Sequence, residues 1–197
     1  MAPMTSERGT AERSNPSEKS KLATIDPRAV QPPGSSHLFL REEQIRQAQD
    51  LMFFAYRDFT GAADAILAEY DLGRAHHRSL HFIGRNPGMT VSDLLTILGI
   101  TKQSLARVLN VLIERKLVAQ NPGKTDRRQR LLALTPAGQS LERRLFERQR
   151  ELLATAFREA GGPSVEGFRR VLTGIMEPSA RAYVNETNPT DPKTRTA

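Results

Sequence analysis

The chain has 197 residues, with 29 Lys and Arg against 22 Asp and Glu, a formal charge of +7 and no cysteine. Lack of thiols excludes disulfides, thiolate zinc or iron–sulfur ligation and cysteine redox sensing, and no stretch approaches the roughly 18–20 apolar residues of a spanning helix. The positive excess is concentrated: residues 101–150 hold 12 basic and 4 acidic side chains while the rest of the chain holds 17 and 18, so a polyanionic partner is to be sought there.

The N-terminal MAPMTSERGTAERSNPSEKSK is polar and lacks the apolar centre of a secretory signal, which makes a cytoplasmic location the expectation. Residues 1–36 are dominated by Ser, Pro, Gly, Thr and charges and offer too little apolar surface to offset ordering entropy, so they are predicted to be a disordered tail. Residues 185–197, NETNPTDPKTRTA, are predicted to be a second one. With 5 basic and 4 acidic groups, residues 1–36 are no electrostatic arm for nucleic acid.

From about Ser36 the pattern becomes helical. Leu40, Ile45, Ala48, Leu51, Met52, Ala55 and Phe59 recur at helical spacing to residue 60. A short turn of helix is expected over Ile66 to Tyr70, and a helix over 74–84, ended by Gly84 and Asn86-Pro87-Gly88. Thr90 is a good N-cap for Val91 to Leu98, with Asp93 at N3, and Gly99 ends that helix. Thr101 caps the next, predicted over 102–116, with Leu105, Val108, Leu109 and Leu112 as its buried stripe.

Two short capped helices joined by Leu98-Gly99-Ile100 match a helix-turn-helix. On the second, Gln103, Ser104, Arg107, Asn110 and Val111 fall on other faces, and 103, 107 and 111 are successive i+4 neighbours, a stripe suited to a major groove, where Gln and Arg contact adenine and guanine edges. By itself this face is equally consistent with a solvated helix side. Residues 117–134 decide between the two. Leu117–Gln120 and Arg130–Leu134 are short β-prone runs around Asn121-Pro122-Gly123-Lys124-Thr125-Asp126-Arg127-Arg128-Gln129, a hairpin whose tip carries Lys124, Arg127 and Arg128 beside Asp126. Arginine on such a tip suits the negative potential of a narrow minor groove. A helix-turn-helix followed by a basic hairpin is a winged helix. Beyond it, Thr135-Pro136 starts a helix to about Ala160, with Leu141, Leu145, Leu152, Ala156 and Phe157 expected toward a partner. After Gly161-Gly162-Pro163, Ser164 is expected to cap a last helix carrying Val165, Phe168, Val171, Leu172, Ile175 and Met176 to about Val184.

The run MTVSDLLTILGITKQSLARVLNVLIERKLV and the wing DRRQRLLALTPAG, with its Asp-x-Arg and Leu-Thr-x-x-Gly spacing, resemble the MarR (multiple antibiotic resistance regulator) family of bacterial transcription factors over about residues 72–145. The stretch YDLGRAHHRSLHFIGRNPGMT looks like the PetP-type subgroup of that family. The resemblance implies a mainly α fold with a small β-hairpin wing: a winged helix-turn-helix DNA-binding domain plus a helical dimerisation domain. The expected organisation is an N-terminal dimerisation helix region over 37–72, the DNA-binding domain over 73–135 with recognition helix 102–116 and wing 117–134, and C-terminal dimerisation helices over 136–184. It implies a homodimer on double-stranded DNA at a pseudo-palindromic operator, and an optional small-molecule effector. Carried over by position, Gln103, Ser104 and Arg107 belong to the major-groove face, and Lys102 and Val111 on the same helix are further expected DNA-binding residues. Arg128 belongs at the minor groove with Asp126 orienting the wing arginines, and Lys124 and Arg127 belong on phosphates. Apolarity of helices 40–60, 136–160 and 165–184 supports the dimer independently, since one chain offers them no other large core.

Sensing is less legible. His77 and His81 share a helix face and lie near His76, so a metal or haem could be held there with Asp71 or Glu69, and pH sensing is a further option; satisfied structural histidines are the plainer account. Phe53 and Tyr56, within the cluster Met52, Phe53, Phe54 and Tyr56, would with His77 and His81 line an effector pocket where dimer helices meet the DNA-binding lobe, although a plain core stripe explains them as well. No cofactor is expected otherwise. An enzyme is not expected: there is no Gly-rich phosphate loop, no His-Glu-x-x-His and no Gly-x-Ser-x-Gly. The alternatives are an architectural or low-specificity DNA-binding protein, a metal- or haem-responsive regulator, and a dimeric interaction module that no longer binds DNA.

Overall fold

The computed structural model describes residues 41–123 and 129–187. The first predicted tail and most of the second lie outside this range, as do the wing-tip residues Lys124, Asp126, Arg127 and Arg128. Eight helices and three strands run in the order α1 (Glu42–Gly61), α2 (Asp64–Glu69), α3 (Arg74–Arg85), β1 (Met89–Thr90), α4 (Val91–Leu98), α5 (Lys102–Glu114), β2 (Val118–Pro122), β3 (Arg130–Leu134), α6 (Pro136–Ala160), α7 (Gly162–Ile175) and α8 (Pro178–Glu186) among the described residues. The sheet is antiparallel in the order β1-β3-β2. Val118 pairs with Leu134 and Pro122 with Arg130 across the hairpin, while the two-residue β1 pairs with Leu131 and Leu132.

Local chemistry explains the boundaries. Thr90 accepts the Asp93 amide at 3.1 Å while Asp93 accepts the Thr90 amide at 2.9 Å, a reciprocal capping box. Gly99 ends α4 at φ 60°, where a side chain would be strained. Helix α5, the expected recognition helix, stops two residues earlier than its apolar pattern suggests. Lys116 adopts φ 56° and the Leu117 amide reaches back to the Leu112 carbonyl at 2.9 Å, so the chain turns out of the helix and buries Leu117.

The core is one cluster running from Ala63 to Leu145, with Leu67, Leu80, Ile83, Leu94, Leu105, Leu112, Leu132 and Leu141 fully buried within it. It reaches back through Ala63, Leu67 and Leu72, so α2 joins this core while also lying against α1. Leu141 and Leu145, expected to face a partner, also belong to this core: they lie on the first turns of α6, which cross the lobe. By contrast α1, α7 and α8 have no buried residue. Large apolar side chains stand exposed on them, led by Phe53 at 72%, Leu51 at 64% and Val171 at 63%.

The last helix expected from the sequence is two helices. Pro178 lacks an amide donor and disfavours helical backbone before it, and Met176 and Glu177 are accordingly extended at ψ 146° and 152°. Nor does Ser164 cap α7; the cap is Gly161, at φ 76°, because helix already begins at Gly162. Asn185 and Glu186, assigned by sequence to the second tail, close α8.

Candidate nucleic-acid interface

Burial of Leu105, Val108, Leu109 and Leu112 fixes the rotation of α5 about its axis. An α-helix with one stripe committed to the core must show the opposite face to solvent, and here that face carries Lys102, Gln103 and Arg107, all exposed. Ser104 is half-buried: its amide donates to Thr101 Oγ1 at 3.2 Å and its hydroxyl accepts from the same oxygen at 2.9 Å. Val111 is also half-buried and packs against the core, so it flanks the polar face rather than leading it. Of the five DNA-binding residues expected on this helix, Lys102, Gln103 and Arg107 are fully exposed.

The wing grows from the same region. The Gly123 amide donates to the Gln129 carbonyl at 3.0 Å, closing the hairpin beyond the last strand pair. Arg130, exposed opposite Pro122, was not among the expected contact residues. It sits at the tip-proximal end of β3, and its signal in the sequence was one more arginine beyond the Asp-x-Arg pair.

The Leu-Thr-x-x-Gly motif has a physical reason here. Thr135 Oγ1 donates to the Lys116 carbonyl at 2.6 Å and accepts the Gly138 amide at 3.1 Å, while the Thr135 amide donates to the Leu117 carbonyl at 3.0 Å. One threonine thus joins the end of the recognition helix to the start of α6. At Gly138 a Cβ would stand 2.0 Å from the Leu117 carbonyl oxygen, an impossible separation, so the crossing needs a residue without a side chain. Arg115 adds a second tie to the recognition helix, donating to the Tyr70 carbonyl and pairing with Asp71 at 3.0 Å.

The three histidines diverge. His76 Nδ1 accepts the Gly73 amide at 3.0 Å, which caps α3. His77 is buried, and His81 Nδ1 lies 3.9 Å from Glu142 on α6. Burial, with repulsion from Arg85 and His77, pushes His81 down to about 4, and burial lowers His76 and His77 as well. Among the described residues no three His, Asp or Glu side chains are grouped to hold a metal ion, so the metal option finds no support in the geometry. The expected effector residues are not brought together in one cavity: His81 lines a cleft between α3, α7 and α8, whereas Phe53 and Tyr56 lie exposed on α1.

The chain is 51% identical over 152 residues to the HTH-type transcriptional regulator PetP of Rhodobacter capsulatus, a match covering 77% of this chain and 92% of that protein. The chain belongs to the MarR family. The model of that family matches residues 70–129, from the end of α2 to the residue before β3. Among solved structures of similar fold are Streptococcus pneumoniae FabT in complex with DNA, with TM-score 0.58 and 18% identity over 66% of this chain and 94% of that one, and a SlyA-like transcription regulator from Listeria monocytogenes, with TM-score 0.57 and 21% identity over 73% and 96%. These likenesses establish the winged-helix fold. PetP is named as a transcriptional regulator, and MarR-family proteins are not enzymes. Among the described residues no helix is long and apolar enough to cross a membrane.

Proposed function

We propose that this MarR-family chain is a homodimeric transcriptional regulator that reads a pseudo-palindromic operator in double-stranded DNA, one recognition helix per half-site. The observation that carries the reading is the presentation of Lys102, Gln103 and Arg107 on the solvent face of α5, whose other face is locked into the core. Gln103 and Arg107 read base edges, and Lys102 with Ser104 secures the helix N-terminus on the backbone. Arg128 enters the minor groove with Asp126 holding the wing arginines, and Lys124, Arg127 and Arg130 meet phosphates. The two-fold axis runs through the uncovered apolar faces of α1, α7 and the distal part of α6, where Phe53, Leu152 and Val171 stand exposed. Its place of action is the cytoplasm, where the chromosome of a bacterial cell lies.

Competition between a selected operator fragment and bulk genomic DNA tests this reading. A regulator prefers its operator by roughly a thousandfold or more at physiological salt. A preference below about tenfold would identify an architectural DNA-binding protein instead.

A further inference from the structure

Helix α8 is held to the DNA-binding lobe by very little. None of its side chains is buried. It is flanked by two clefts, one of about 900 Å³ among His81, Arg85, Phe168 and Arg169, the other of about 480 Å³ among Asp93, Ile97 and Ala180. Tyr183 lines both. Its ring meets the edge of Phe82 on α3, centroids 5.6 Å apart and planes at 76°, and its hydroxyl accepts the Asn86 side-chain amide at 2.8 Å. The same Asn86 nitrogen donates to the Phe82 carbonyl at 2.8 Å, and Asn86 stands directly before the turn that leads into β1 and α4. Two residues before Tyr183, Arg181 ties α8 to the end of α7, donating to the Gly174 carbonyl at 3.3 Å and the Met176 carbonyl at 3.1 Å. The chain therefore runs from an apolar, uncovered helix, around a proline corner, to a short helix that lies beside α4 and meets α3 through the Tyr183 ring at the root of the helix-turn-helix.

We propose that Tyr183 is a positioning residue for DNA reading: a latch that fixes the angle of the DNA-binding lobe against the dimer helices, and through it the separation of the two recognition helices. This rests on the homodimer proposed above. Beside the packing of α8 on α4, one hydrogen bond and one ring edge form a weak latch, so the lobe is held in register yet releases readily, and Tyr183 is the side chain of the latch that lines both clefts.

The chain has no cysteine, so Glu114→Cys, at the exposed end of α5, places one spin label on each protomer. The distance between the two labels is then measured by double electron–electron resonance in the full-length dimer. With Tyr183 present a single narrow distribution is expected. Tyr183→Ala broadens it about twofold or more, and Tyr183→Phe, which keeps the ring and loses the hydrogen bond, broadens it less, both with unchanged sedimentation and melting within a few degrees. If Tyr183→Ala fails to fold, Tyr183→Phe decides alone: a broader distribution supports the latch and an unchanged one overturns it. Unchanged widths in a folded dimer overturn the latch alone. A wild-type chain that sediments as a monomer overturns the dimer and the latch together.

Discussion

Arg107 lies at the centre of the exposed face of α5, one helical turn beyond Gln103 and on the side away from the buried stripe. If it reads a base edge, Arg107→Ala removes discrimination at one position, about 1–3 kcal/mol, and flattens the ranking of operator variants in a binding titration. A uniform loss of affinity across all variants would make it a phosphate contact. Lys124→Ala should behave in that second way, lowering the slope of log affinity against log salt by about one unit without changing the ranking. At Gly138 the expected cost is in folding: with the Leu117 carbonyl oxygen 2.0 Å from where a Cβ would lie, Gly138→Ala destabilises by about 2 kcal/mol or more, read from denaturant unfolding.

Among the histidines, His81 is the one whose proton affinity the fold lowers furthest. Folded, it stays neutral down to about 4, whereas the unfolded chain takes up the proton near 6.5. Between those values the unfolded state binds more protons, so stability present above 6.5 is lost as pH falls toward 4. His76 and His77 are shifted in the same direction, while Glu142, raised by burial, opposes them over the carboxylate range. The melting temperature is therefore expected to fall between about pH 7 and about pH 5, and His81→Gln to make that fall shallower. A slope unchanged by the substitution would show that His81 does not set it.

At the scale of elements, the junction at Thr135 matters most, because a recognition helix is useful only if its far end is anchored. Thr135→Val keeps the shape and removes the hydroxyl that bridges the Lys116 carbonyl and the Gly138 amide. It should cost about 1–2 kcal/mol, measured by thermal or urea unfolding, and no loss would show the bridge to be ornamental. The capping half of this junction was legible in advance because Thr-Pro is a strong start signal, and Thr90 and Thr101 were legible for the same reason: each caps a helix through its own hydroxyl, a local interaction, whereas the tie of Thr135 to Lys116, 19 positions away, was not. Elements that depend on distant partners were not. The two residues of β1 are a strand only because β3 passes beside them, and nothing in Met89-Thr90 announces that. Leu141 and Leu145 fit the apolar stripe of α6 whether the neighbour is the same chain or a second one, and periodicity does not distinguish the two. The break at Pro178 was readable from the proline itself, but the apolar pattern of 165–184 spans it and suggests one helix. Tyr183 carried no sequence signal, since its partner Asn86 lies 97 positions away.

The whole molecule divides its apolar surface in two. One part, from Ala63 to Leu145, closes into a core within the chain; the other, on α1, α7 and distal α6, is left open. Exposed Phe53, at 72%, is too costly to leave in water on a stable monomer when it stands beside Leu51, Met52 and Phe54. A charge placed there should therefore separate the protomers while sparing the lobe: Phe53→Glu is expected to sediment as a monomer, with the DNA-binding lobe still folded by circular dichroism, and to lose operator affinity by roughly tenfold or more, about the contribution of one half-site.

The positive excess of residues 101–150, from which a polyanionic partner was first inferred, falls mostly on the recognition helix and wing: residues 101–130 hold 8 basic and 2 acidic groups. Two such surfaces, related by a two-fold axis, should leave a footprint with the same symmetry. Sequencing the DNA that the protein occupies in its own cell tests this most directly. A symmetric dimer predicts a recurrent pseudo-palindrome whose half-sites are centred about 10 bp apart, one turn of the duplex. Occupancy spread over the chromosome with no shared motif would contradict it.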